Sequence, residues 1–187
     1  MIQFNELLLN KHLLRAISAK NYLNPTPIQE KAIPLILDKK DVIATAQTGT
    51  GKTAAFALPI LQALFHKQDA SKKGKKIKAL IVSPTRELAV QIDENFKSYS
   101  KYTNLRSAVV FGGTSIEPQK DILKKGIDIL IATPGRLLDL HKQDIIHLDF
   151  IEILVLDEAD LMLDMGFIDD VRKIERLCPE KKQTLLF

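Results

Sequence analysis

The fold of this chain is decided by residues 41–56, which have the sequence DVIATAQTGTGKTAAF. Residues 41–46 form a short, largely apolar run of the kind that favours a buried strand. A glycine-rich segment follows, and the chain then continues into a stretch that predicts a helix. Because strand, glycine-rich loop and helix occur in this order, residues 41–56 predict one unit of an α/β domain.

The glycine-rich loop is a candidate phosphate-binding site. Backbone N–H groups at a turn that opens a helix can hold phosphate oxygens, and glycines let the backbone approach closely. We expect Lys52 to contact the β- and γ-phosphates and the Thr53 hydroxyl to bind Mg²⁺. The sequence thus predicts a magnesium–nucleoside triphosphate site formed by Ala46, Gln47, Thr48, Gly49, Thr50, Gly51, Lys52 and Thr53. The alternative is a strand–turn–helix unit with no ligand.

The remaining pattern indicates an α/β domain with a mostly parallel sheet and helices on both faces. Before the glycine-rich loop, the amphipathic segment 6–20 predicts one helix, and residues 28–37, after a proline-rich turn, predict a second. Short apolar runs then alternate with helical stretches, as strands buried on both faces of a parallel sheet require. The predicted strands are residues 41–46, 79–83, 107–111, 127–132, 153–156 and 184–187.

Polar and glycine residues follow these strands at the edge where parallel sheets bind ligands. Asp157 ends the run 153–156, so we expect its carboxylate to hold Mg²⁺ together with Thr53. Glu158 could orient or deprotonate an attacking water. The alternative for both carboxylates is to cap the helix that follows. The other strand ends deliver Pro84, Thr85 and Arg86, then Gly112 and Gly113, and then Thr133, Gly135 and Arg136.

Composition narrows the classes of protein that this chain can represent. A chain of 187 residues with 45% hydrophobic and 27% charged residues predicts one globular domain, neither disordered nor membrane-spanning. Its N-terminus lacks the features of a secretory signal, and Cys178 is its only cysteine. We therefore expect the protein to reside in the reducing cytoplasm. The net charge of +4 permits a polyanionic partner. The lysine-rich segment 71–78 is interpreted as a solvated loop, the alternative being a phosphate-contacting patch.

These motifs, in this order, resemble the DEAD-box ATP-dependent RNA helicases. Residues 157–160 have the sequence DEAD, residues 46–53 resemble motif I, and residues 84–88 resemble motif Ia. The pair at 112–113 and residues 133–136 resemble the paired-glycine motif and motif Ib. Tyr22 and residues 25–29 resemble the Q motif, with Phe4 as its upstream aromatic residue and Asn21 where the family often has glycine.

The resemblance implies a RecA-like P-loop NTPase domain over residues 1–187, with the Q-motif region in residues 1–40. It implies that ATP and Mg²⁺ are cofactors, that Gln29 binds the adenine edge, and that Tyr22 and Thr26 belong to the nucleotide site. It also implies a groove for the backbone of single-stranded RNA, lined by Pro84, Thr85, Arg86, Gly112, Gly113, Thr133, Gly135 and Arg136.

The resemblance further implies a second RecA-like domain after residue 187, since motif III would come next. We therefore expect this chain to be the N-terminal part of a longer enzyme, monomeric and nearly inactive by itself. Two alternatives stay open. One is another P-loop enzyme, such as a DNA helicase of the same superfamily, and the other is a non-catalytic RNA clamp regulated by nucleotide.

Overall fold

The protein is described by a computed structural model that covers residues 3–47, 49–65 and 76–187. Within these ranges the chain forms a single sheet of six strands and eight α-helices. Thr48 and residues 71–75 of the lysine-rich segment lie outside the described residues, so the predictions made for them are not tested by the structure.

Short, apolar sequences form the strands. They are β1 (Val42–Ile43), β2 (Ala79–Val82), β3 (Ser107–Val110), β4 (Ile129–Ala132), β5 (Ile153–Leu156) and β6 (Gln183–Leu186). All neighbouring pairs are parallel, in the order β1-β6-β5-β2-β4-β3. The prediction of a parallel sheet is therefore confirmed, although β1 is much shorter than the run 41–46.

The helices cover both faces of the sheet. They are α1 (Lys11–Ser18), α2 (Pro27–Leu37), α3 (Lys52–Phe65), α4 (Arg86–Tyr99), α5 (Glu117–Lys124), α6 (Pro134–Lys142), α7 (Ala159–Asp164) and α8 (Ile168–Leu177).

Side chains alternate between the two faces of the sheet along each strand, and this divides the core into two layers. Ile81 and Val155 pack in the layer that contains residues of α1, α2, α3 and α4. Leu80 and Leu154 pack in the opposite layer with residues of α6, α7 and α8. Since successive side chains of a strand point to opposite faces, strands β2, β4 and β5 are buried on both sides. Among the described residues, no helix has the length and apolar character that a membrane span requires.

The prediction of one helix over residues 6–20 is wrong. A 3₁₀ helix, Phe4–Leu7, ends at Leu8, whose φ of 57° lies in the left-handed region. The α-helix begins only after Asn10, whose side chain accepts hydrogen bonds from the N–H groups of His12 and Leu13 at 2.9 and 3.1 Å. An asparagine that caps a helix start overrides the leucine periodicity that continues across it.

The segment between α1 and α2 turns at Asn21. Asn21 has a φ of 58°, a left-handed conformation that glycine adopts most easily. Asparagine tolerates this conformation better than other side chains do. The turn therefore forms without the glycine that the DEAD-box helicases often have at this position.

Candidate functional site

The carboxyl ends of the parallel strands gather the predicted site residues at one edge of the sheet. Val82 of β2 pairs with Leu156 of β5, so the chain positions that follow them, Ser83 and Asp157, lie side by side. The N–H of Asp157 donates to the carbonyl of Val82 at 2.9 Å, which continues the ladder to the end of the strands. The glycine-rich loop reaches the same edge from β1.

An ion pair joins the glycine-rich loop to the DEAD residues. The Lys52 Nζ donates to Glu158 Oε1 at 2.8 Å, although 106 residues separate the two in sequence. Their side chains are only 12% and 22% exposed. Because both charges are largely shielded from water, this pair is stronger than an ion pair on the open surface.

Glu158 is held in an unusual backbone conformation. Its φ and ψ are 51° and 52°, in the left-handed region, and it precedes the first residue of α7. A non-glycine residue in this region costs about 1–3 kcal/mol, which the surrounding structure must offset. The turn directs the Glu158 carboxylate back towards Lys52.

Asp157 is a buried carboxyl group, 6% exposed. Its pKa is raised from 3.8 to about 7, chiefly by burial and also by the neighbouring charge of Glu158, while Lys52 lowers it. A cation bound beside such a carboxyl group lowers its pKa and favours the ionised form. Ser83, next to it in the sheet, is fully buried, and its hydroxyl has no hydrogen-bond partner among the described residues. The sequence analysis did not single out Ser83.

Gln29 links the start of α2 to the glycine-rich loop. Its Oε1 accepts from the Thr26 N–H at 3.0 Å, and its Nε2 donates to the Gly51 carbonyl at 3.1 Å. Gln29 is 3% exposed. In this conformation both ends of the amide bind protein, so a base contact would have to use the remaining lone pair and N–H, or follow a rearrangement.

The other predicted nucleotide residues lie around this link. Thr50 Oγ1 donates to the Gln47 carbonyl at 2.7 Å, and Gly49 and Gly51 have φ angles of 85° and 89°. Ala46 precedes this turn, and Thr53 lies in the first turn of α3.

The two aromatic residues of the predicted Q motif differ in accessibility. Tyr22 is 36% exposed, and its hydroxyl lies 3.4 Å from that of Tyr99 in α4. Phe4 is buried in the core layer of α1 to α4 and is a packing residue in this structure.

A cleft of about 370 Å³ opens on the same edge. Most of the residues predicted to contact a nucleic-acid backbone line it: Pro84, Arg86, Gly112, Thr133, Gly135 and Arg136. Pro134, Asp139 and Phe167 line it as well and were not predicted. Of the other two predicted residues, Thr85 caps α4 by accepting from the Leu88 N–H at 3.3 Å, and Gly113 turns the chain with a φ of 79°.

Two arginines line the cleft, one held against an aromatic ring and the other by a hydrogen bond to the backbone. The Arg86 guanidinium lies 4.8 Å from the ring centroid of Phe111. Arg136 Nη2 donates to the Thr114 carbonyl at 2.9 Å, whereas its buried Nη1 has no partner among the described residues. A buried N–H without an acceptor costs free energy, so an acceptor that reached Nη1 from the cleft would remove that cost.

Gln119 shapes the glycine loop of the cleft and was missed by the sequence analysis. Its Oε1 accepts from the Phe111 N–H at 3.1 Å, and its Nε2 donates to the Phe111 carbonyl at 3.1 Å and to Thr114 Oγ1 at 3.2 Å. A single glutamine on a helix belongs to no motif, so only the folded chain reveals this role.

The chemistry of Thr53 and Asp157 fits Mg²⁺ better than a metal enclosed by protein alone. Among the residues that the structure describes, no group of three or more His, Cys, Asp or Glu side chains could hold a metal ion. Mg²⁺ commonly takes one or two protein oxygens and completes its shell with phosphate oxygens and water. The one buried carboxylate and one hydroxyl suit that mode.

Comparison with known proteins identifies the motifs as a set. A family model described as DEAD/DEAH box helicase matches residues 26–187. A solved structure, the crystal structure of a DEAD box protein from the hyperthermophile Methanococcus jannaschii, is 42% identical and superposes with a TM-score of 0.90. The match covers 100% of this chain and 50% of that one.

Two bacterial relatives are similar over nearly the whole chain. The DEAD-box ATP-dependent RNA helicase RhpA of Helicobacter pylori (strain B128) is 47% identical over 98% of this chain and 36% of its own length. The DEAD-box ATP-dependent RNA helicase CshA of Streptococcus pneumoniae serotype 4 is 48% identical over 100% and 34%, respectively. The chain thus spans about a third of the length of these curated relatives.

The contact between Gln29 and Gly51 generates a matched pair of substitutions. Gly49→Ala and Gly51→Ala both place alanine at positive φ, which costs about 1–2 kcal/mol. Only the Gly51 methyl group would also overlap the Gln29 amide. Apart from the chain neighbours of Gly49, no atom of the described residues lies within 4 Å of a methyl group at that position. Chemical denaturation should show a larger loss in the free energy of unfolding for Gly51→Ala than for Gly49→Ala. When Gln29 is also replaced by alanine, the two losses should become equal. Equal losses in the parent background would contradict the link.

The pKa of Asp157 generates a prediction about stability and pH. Between about pH 4 and about pH 7 the folded chain retains a proton that the unfolded chain has lost, so this group makes stability fall as pH rises through that window. Asp157→Asn should flatten the fall and stabilise the protein above about pH 7, by on the order of a few kcal/mol. Denaturation curves without Mg²⁺ or nucleotide, with Asp160→Asn as an exposed control, test this. Parallel pH profiles for wild type and Asp157→Asn would refute it.

Proposed function

The chain belongs to the DEAD/DEAH box helicase family, and we propose that it forms the ATP-binding part of an enzyme that couples ATP hydrolysis to RNA remodelling. One observation carries the proposal: the phosphate loop and the arginine-lined cleft open on the same sheet edge. Hydrolysis at one can therefore alter the grip of the other. The names of the relatives, which are ATP-dependent RNA helicases, support the same assignment.

In the proposed nucleotide complex, Lys52 moves from Glu158 to the β- and γ-phosphates. Phosphate oxygens carry more negative charge than one carboxylate, and the backbone N–H groups at the start of α3 favour the same anion. Thr53 and Asp157 would hold Mg²⁺, which supplies charge neutralisation at the γ-phosphate when it is bound.

Glu158 becomes the general base once Lys52 has left it. Its carboxylate accepts a proton from water as the water oxygen bonds to the γ-phosphorus, and the bond from that phosphorus to the ADP oxygen breaks. The Lys52–Glu158 contact of 2.8 Å supports this role, because it places the carboxylate beside the group that is to hold the phosphates.

Adenine selectivity is assigned to Gln29, with Tyr22 and Thr26 beside it. A side-chain amide can accept from the adenine N6 amino group and donate to N7, which the O6 of guanine disfavours. The 36% exposure of Tyr22 leaves ring surface for packing against a base. The hydrogen bond from Gln29 to the Gly51 carbonyl would transmit occupancy of the base site to the phosphate loop.

The cleft is proposed to hold the backbone of single-stranded RNA. Phosphates and 2′-hydroxyls need N–H and O–H donors, and Nη1 of Arg136, which has no partner among the described residues, is a candidate donor. Arg86 adds a second cation on the same lining. Such contacts bind RNA without sequence preference.

A second RecA-like domain in the same complete protein is proposed to close over the ATP site. This chain matches only 34–36% of the length of the two relatives, which supports the proposal of a further domain. Closure would exclude water and add cations at the γ-phosphate. Because its ATP site lies at an open edge, the chain alone is expected to be nearly inactive. It is also expected to be monomeric and located in the cytoplasm.

Hydrolysis of ATP by the complete protein, measured with and without single-stranded RNA, tests the proposal. We expect RNA to stimulate turnover, and Arg136→Ala to remove most of that stimulation while ATP–Mg affinity is unchanged. Arg172→Ala is the control, since that arginine of α8 is 63% exposed and is not among the residues that line the cleft. Thermal unfolding checks that both variants fold.

Each other outcome has a defined meaning. Equal stimulation by single-stranded DNA would favour the DNA-helicase alternative. ATP binding that governs RNA affinity without turnover would favour the clamp. Wild-type protein that neither binds ATP nor responds to RNA would refute the proposed function.

A further inference from the structure

All three tyrosines of the sequence lie together where α1 meets the end of α4. Tyr99 is the last residue of α4 and is buried, and Tyr102 follows it in the next turn and is half-buried. The Tyr22 hydroxyl lies 3.4 Å from that of Tyr99. Tyr22 belongs to the proposed nucleotide site, whereas neither the proposed ATP site nor the cleft includes Tyr99 or Tyr102.

Three cations lie over the rings of Tyr99 and Tyr102. The Arg15 guanidinium carbon is 4.2 Å from the ring centroid of Tyr102, and Lys101 Nζ is 5.6 Å from the same ring. Lys20 Nζ is 5.0 Å from the ring centroid of Tyr99. We call these five residues the tyrosine–cation patch.

The charges of this patch are not neutralised by carboxylates. Several other lysines are paired with carboxylates, as Lys97 is with the buried Asp93 at 2.6 Å. In the described part of the chain, Arg15, Lys20 and Lys101 form no ion pair, and the polar contact of Lys20 is to Asn95 Oδ1 at 3.5 Å. Helix α1, with the sequence KHLLRAIS, contains no acidic residue. Arg15 and Lys101 are exposed, so the positive charge faces solvent.

Cations held on aromatic rings suit single-stranded nucleic acid. Lysines contact phosphates, and a guanidinium placed over a tyrosine ring can also stack on a base. We propose that the tyrosine–cation patch is a second contact for single-stranded RNA, outside the cleft. This inference rests on the proposed RNA-binding function and extends it to a surface that the helicase motifs do not include.

The position of the patch determines which RNA can reach it. Helix α4 has 14 residues and is about 21 Å long, with Arg86 of the cleft at its first position and the patch at its end. Exposed Glu87 and Glu94 lie on α4 between the two and would repel a strand laid along the helix. An RNA that fills only the cleft therefore cannot touch the patch, whereas a longer strand can loop to it.

Fluorescence anisotropy with labelled oligouridine tests this on the complete protein. The patch variant combines Arg15→Gln, Lys20→Gln and Lys101→Gln, and the control variant combines Lys40→Gln, Lys124→Gln and Lys173→Gln. These control lysines are exposed, and the charge change is the same. Oligonucleotides of about 5 and about 16 nucleotides are compared over a salt series. Thermal unfolding and ATP affinity confirm that the variants are intact.

The patch variant should bind the long oligonucleotide more weakly and the short one normally. Three lost phosphate contacts should reduce the slope of log affinity against log salt by about 2 for single strands. The control variant should change neither affinity. Arg15→Lys should preserve the salt slope yet weaken binding of the long strand, because lysine does not offer a flat stacking surface.

Equal effects of the patch and control variants, or equal losses on both oligonucleotides, would overturn the patch. Arg136→Ala separates this failure from failure of the proposed function. If that variant weakens the short oligonucleotide while the patch variant leaves the long one unchanged, the cleft stands and the patch is wrong. If wild-type protein binds neither oligonucleotide, both are wrong.

Discussion

Parallel alignment of the six strands is the constraint on which the rest of this protein depends. Parallel strands end at the same edge, so loops that are far apart in sequence meet there. This alignment alone makes neighbours of the glycine-rich loop after β1, the arginine-lined cleft and the acidic turn after β5. The helices that return each strand to the start of the next also cover both faces, which is why β2, β4 and β5 can be almost wholly apolar.

We propose that the charges at that edge match a ligand that adds several negative charges. Lys52 is paired with Glu158 at 2.8 Å, and Asp157 beside them has a pKa raised to about 7 by burial and by Glu158. Entry of a triphosphate with a divalent cation would engage Lys52, ionise Asp157 and release Glu158 in one rearrangement. The left-handed turn at Glu158, with a φ of 51°, fixes the carboxylate where that exchange can occur.

The sequence predicted the sheet and most of the cleft because both arise from local patterns: apolar runs for buried strands, and glycine, proline and arginine at strand ends. It failed where one side chain outweighed a pattern. Asn10 starts α1 within a leucine periodicity that continues on both sides of it. Gln119 and Phe167 reach the site only through tertiary contacts, so no spacing in the chain identifies them. Gln29 was predicted as a base ligand, but its bond to Gly51 could not be predicted.

Calorimetric titration with ATP–Mg tests the central claim, that Lys52 exchanges Glu158 for the triphosphate. Glu158→Gln removes the charge that competes for Lys52, so it should tighten ATP binding about tenfold, the equivalent of one charge-assisted hydrogen bond. Asp160→Asn, which removes a nearby exposed charge without touching Lys52, should change affinity much less, and in a Lys52→Ala background Glu158→Gln should bring no gain. Unchanged affinity in Glu158→Gln, or the same gain without Lys52, would contradict the exchange.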